Sequence, residues 1–72
     1  MPPFSGADVV AALGRAGFVR VSQRGSHVKM RHPDGRTAIV PMHRELAPGT
    51  TRSIVRQAKL TTDDLSRLLG RS

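Results

Sequence analysis

The sequence predicts an α+β domain in which a helix, a three-stranded antiparallel sheet, a second helix and a short third helix follow one another. Three observations predict it. Apolar residues recur at helical spacing near both ends, the middle alternates with period two, and glycine and proline punctuate the joins. The 72 residues leave room for one domain, 1–72.

Ser5-Gly6-Ala7-Asp8 reads as a capping box, with a serine oxygen for a free backbone N–H and an acid in the first turn. Val9, Val10, Leu13 and Ala16 carry the apolar stripe, and Gly17 suits a left-handed residue past the helix end, so the first helix is expected over 6–16. Residues 18–23 alternate as a strand, with Val19 and Val21 on one face. Gly25 interrupts before a second strand, 26–31, in which Val28 and Met30 point one way and His27, Lys29 and Arg31 the other. Pro33-Asp34-Gly35 turns the chain back onto a third strand, 37–40, ended by Pro41. A polar connection, 42–47, leads to Pro48-Gly49-Thr50-Thr51, which opens the second helix with Ile54, Val55 and Ala58 inward and Arg52 and Arg56 outward. Thr61-Thr62-Asp63-Asp64 is another capping box, starting a short helix with Leu65, Leu68 and Leu69 apolar and Gly70 at its end. Strands in a run joined by short turns form a meander, and helices at both ends pack on one of its faces. The other face stays wet and displays His27, Lys29 and Arg31.

Twelve Lys and Arg stand against five Asp and Glu, a formal net charge of +7. Between positions 15 and 59, ten basic residues face only Asp34 and Glu45. Solubility alone is served by mixed signs; a middle of one sign points to a polyanionic partner. A membrane is not the expected one, since no apolar run approaches the roughly 20 residues that span a bilayer. Met1-Pro2-Pro3-Phe4-Ser5 lacks the basic and apolar regions of a secretory signal, so the protein is expected in the cytoplasm. Cysteine is absent, which excludes disulfides and thiolate metal sites.

Gly25-Ser26-His27 is the most informative step. Glycine lets backbone approach another group closely, and the histidine begins a strand, a stiff support for an imidazole. RNA brings its own nucleophile, the 2′-OH, so cutting it takes little beyond proton transfer and neutralisation of charge at phosphate. Histidine suits the first task, and Lys29 and Arg31 are placed for the second. Ser26 reads equally well as a residue that contacts phosphate or positions His27, or as a small residue that merely tolerates the bulge beside Gly25. Arg52 and Arg56 lie one turn apart and could follow a phosphate backbone, although a solvated helix face explains them nearly as well. Three histidines raise the question of a metal. His27 and His32 are five apart, so they face opposite sides of one strand, and the nearby Asp34 is used by the turn. No metal or other cofactor is expected. His32 reads as a strand-end residue; His43 could contact RNA or a partner protein, but capping of a backbone group is the preferred reading.

Gly25-Ser26-His27, Pro41-Met42-His43, Glu45-Leu46, Pro48-Gly49-Thr50 and Arg52-Ser53-Ile54-Val55-Arg56-Gln57-Ala58 together resemble the HicA toxin family, also called YcfA-like. The similarity runs from the opening helix and Gly17-Phe18 to the threonine-capped last helix. It implies a fold like the double-stranded RNA-binding domain and an mRNA interferase that inhibits translation and is held inactive by a HicB-type antitoxin. The family's catalytic histidine matches His27. Lys59 stands where the family usually has glycine, and Val28 follows the histidine where an aromatic residue or second histidine is frequent. An acidic antitoxin covering His27 also suits a +7 chain.

The rival reading is a non-catalytic module that holds double-stranded RNA by shape and phosphate contacts and needs no histidine. With Phe4 and Phe18 the only aromatics, an aromatic platform for base stacking is not expected in either case.

Overall fold

The computed structural model describes residues 3–71. The elements run α1 (Gly6–Arg15), β1 (Val19–Arg24), β2 (His27–Arg31), β3 (Thr37–Pro41), α2 (Pro48–Ala58) and α3 (Thr62–Leu68). This is the expected α+β order, with bounds displaced by about one residue. The sheet has the order β1-β2-β3 with both pairs antiparallel.

Both capping boxes form. Ser5 accepts from the Asp8 N–H while Asp8 accepts from the Ser5 N–H, and Thr61 and Asp64 repeat the exchange at α3. Gly17, at φ +100, closes α1 with the Phe18 N–H donating back to the Leu13 carbonyl, which drops Phe18 into the core. Lys59 adopts the left-handed conformation at φ 56 and lets the Leu60 N–H reach the Val55 carbonyl. The departure from glycine therefore leaves the turn intact, at a strain of about 1 kcal/mol for a residue with a Cβ.

Val28 and Met30 of β2 and Ala38 and Val40 of β3 are buried beneath Val9, Leu13, Ile54 and Leu65 of the helices. The inward assignment of Ile54, Val55 and Ala58 holds, and Arg52 and Arg56 are exposed. Two expectations need correction. Val19 and Val21, expected on one face of a regular strand, are 56% and 44% exposed, because β1 is an edge strand that the helices do not cover. A register shift between Arg20 and Ser22 also makes Val21 the extra residue of a β-bulge. The connection 42–47 is not simply polar. Leu46 is buried, its N–H donates to the Phe4 carbonyl, and the Gly6 N–H donates to the His43 carbonyl. This connection zips the N-terminal segment to the end of the sheet so closely that a Cβ on Gly6 would lie 2.2 Å from the Pro41 oxygen.

Candidate active site

Period two divides β2 between two environments. Val28 and Met30 enter the core, whereas His27 and Arg31 are exposed and Lys29 half-buried on the open face. A two-residue turn, Gly25-Ser26, leads into His27, with Gly25 at φ +54, a conformation suited to glycine at the first position of such a hairpin. The turn is held by the Gln23 amide donating to the Gly25 carbonyl at 3.0 Å and by the Met42 N–H donating to the Ser26 carbonyl.

The strand register decides what surrounds the imidazole. Arg24 lies directly across from His27 on β1 and Pro41 directly across on β3. One row further, Lys29 is flanked by Ser22 and Ile39. Ser22, Arg24, His27, Lys29 and Ile39 line one depression of about 440 Å³. Of the residues expected to act, the fold thus joins His27 and Lys29. Arg31 continues the same face, where its Nε donates to Thr37 Oγ1 at 3.4 Å. Ser26 sits exposed in the turn. Arg52 and Arg56 ride on α2, outside the depression. Arg52 instead lines a separate, mainly apolar cleft of about 310 Å³ with Pro3, Phe4, Leu46, Pro48, Thr51 and Thr62, a set that offers no acid or base for chemistry.

Ser22 and Arg24 escaped the reading of single segments. Their signal was the turn length: two loop residues pair Arg24 with His27, and then Ser22 with Lys29.

No carboxylate lines the depression. Three of the five are engaged elsewhere. The Ser5 backbone N–H, aided by the Ser5 hydroxyl and Arg71, holds the Asp8 carboxyl below its ordinary value. The Arg36 backbone N–H and guanidinium do the same for Asp34, and the Thr61 N–H and hydroxyl, with Arg67, for Asp64. Acids are thus spent on caps and a turn, and the field over the open face is left positive.

His32 has a different setting. Its ring meets Phe18 edge-on at 5.2 Å, and its Nδ1 accepts from the Asp34 N–H at 3.1 Å. It directly follows the end of β2, as the strand-end reading expected, and its ring nitrogen helps to hold the turn.

A family model described as HicA toxin of bacterial toxin-antitoxin matches residues 6–60, from the start of α1 to just past α2. The chain belongs to the HicA toxin family. No curated protein matches it. A HicA toxin is the toxic half of a toxin–antitoxin system, so this one has an antitoxin as its partner. Among the described residues of this HicA chain, no helix is long and apolar enough to cross a membrane, and no three His, Cys, Asp or Glu side chains group as metal ligands.

Proposed function

We propose that this HicA toxin is a metal-independent endoribonuclease that cuts single-stranded mRNA in the cytoplasm and so inhibits translation. The carrying observation is His27, solvent-exposed on a stiff strand, sharing a depression with Lys29 and Arg24 and with no carboxylate. His27 takes the proton of a ribose 2′-OH. The oxygen attacks the adjacent phosphorus, the bond to the 5′-oxygen breaks, and the departing oxygen gains a proton from water or from the Lys29 ammonium. The products are a 2′,3′-cyclic phosphate and a 5′-hydroxyl. Lys29 and its cationic neighbours stabilise the charge that builds on the pentavalent phosphorus. Arg31, Ser26, Arg52 and Arg56 extend the contacts to the RNA backbone, and a HicB-type antitoxin blocks the reaction by laying acidic surface over His27.

The test incubates the protein with single-stranded RNA in EDTA, beside His27→Ala. The wild type cuts at least about 100-fold faster, the usual worth of a positioned acid–base group. Equal cutting by both proteins removes His27 from the mechanism. Tight binding with no cutting by either, and a preference for duplex, supports the non-catalytic module instead.

A further inference from the structure

The depression has two chemically distinct sides, and this has a consequence for how a substrate lies in it. On the β1 side stand Arg24 and Ser22, a cation and a hydroxyl. On the β3 side stands Ile39, which is 39% exposed despite being a large aliphatic residue. His27 and Lys29 occupy the strand between them. A volume of about 440 Å³ falls within the range of sites that hold small ligands.

We propose that this depression is a one-nucleotide subsite in which Arg24 and Lys29 grip one phosphate from neighbouring strands, Ser22 donates a hydrogen bond to it, and Ile39 seats the apolar face of the attached sugar or base. The proposal rests on the RNA reading of the site and adds a direction to it: phosphate toward β1, nucleoside toward β3. A guanidinium matches the two free oxygens of a phosphodiester in a fork that an ammonium cannot offer, so Arg24 orients the phosphate and Lys29 supplies a point charge. Arg24 is a phosphate-binding residue here and takes no proton.

The bulge in β1 provides a built-in control. Arg20 is also an exposed arginine of β1, but the register shift sets it across from Met30, on the other side of the sheet, where its Nη1 donates to Gln23 Oε1. Arg20→Ala and Arg24→Ala remove the same charge from the same strand. Only one of them empties the depression.

The experiment measures binding of a short single-stranded RNA to the full chain carrying His27→Ala, across a series of salt concentrations. Adding Arg24→Ala weakens binding roughly tenfold and flattens the slope of log K against log salt by about 0.7, one phosphate contact on a single strand. Adding Arg20→Ala changes both only slightly. Arg24→Lys restores the slope but only part of the affinity. Ile39→Ser weakens binding a few-fold with the slope unchanged. Equal effects of Arg20→Ala and Arg24→Ala overturn the subsite while leaving RNA binding, and cleavage by the parent protein, in place. No binding of RNA by the His27→Ala chain, with no cutting by the wild type, overturns both the subsite and the function on which it rests.

Discussion

The two ends of β2 each carry a histidine beside a turn, and the two have opposite surroundings. At the far end, His32 is packed on Phe18 and bonded to Asp34, and the Arg36 guanidinium lies 5.1 Å over the same Phe18 ring and donates to the Ala58 carbonyl at the end of α2. At the near end, His27 stands on the open face, in a turn held by two hydrogen bonds to its backbone carbonyls. One hairpin end is anchored through side chains to a helix. The other leaves its side chains free to meet a ligand. The same residue type is structural where neighbours claim both its ring and its nitrogen, and available for chemistry where they claim neither.

Exchanging the losses at the two ends is the strongest way to break this contrast. His27→Ala removes cleavage by at least about 100-fold and leaves the melting temperature within about 2 °C, because the ring contributes nothing to the core. His32→Ala does the reverse: it loses about 1–2 kcal/mol from the ring contact and the turn hydrogen bond, and its folded fraction cuts at close to the normal rate. Thermal melts and initial cleavage rates on both variants check this. If His32→Ala abolishes cutting without loss of stability, the roles are assigned to the wrong ends.

The glycines beside each end sharpen the comparison. Gly17 sits at φ +100 with a would-be Cβ only 2.9 Å from His32 Nε2, whereas Gly25 at φ +54 has nothing within 4 Å. Gly17→Ala therefore adds a clash to backbone strain and loses about 2 kcal/mol, and Gly25→Ala bears the strain alone, about 1 kcal/mol. Urea denaturation of the two variants ranks them. Equal losses mean that His32 yields freely and the anchored end is softer than its contacts imply.

The smallest effect is one of pH, and it belongs to the anchored end. Asp34 is held below its ordinary value of 3.8, first by the Arg36 backbone N–H and then by the Arg36 guanidinium. A depressed carboxyl contributes stability that is fully present above its unfolded value and disappears as pH falls through the folded one. Unfolding followed from pH 6 to about pH 2 shows the loss below roughly pH 4, and Asp34→Asn makes the curve shallower there. An unchanged curve removes Asp34 from the anchoring.

Much of this was legible before any coordinates. The alternation of β2 announced that His27, Lys29 and Arg31 would share a wet face, and Ser5, Thr61, Gly17 and Gly70 marked helix ends through local hydrogen-bonding and conformational preferences. The valines of β1 were less transparent, since period two states that residues share a face but not whether any helix reaches over it.

What the sequence by itself determined is the order of elements, the two faces of β2 and the histidine at its start, because capping, turn formation and alternation act over a few neighbouring residues. The tertiary structure alone decided the bulge at Val21. An unbroken pairing from the two-residue turn would set Arg20 across from Arg31 and Val21 across from Met30; the shift instead sets Val19 across from Arg31 and turns Arg20 away. Placing two arginines opposite each other is unfavourable, and that repulsion exists only once the strands are side by side. Pairing also decided that Arg24, Ser22 and Ile39 surround the imidazole, and helix packing decided that Gln57 Oε1 covers the Ile39 N–H on the β3 edge while β1 stays open. Contacts between segments depend on which segments meet, and no single stretch of chain carries that information.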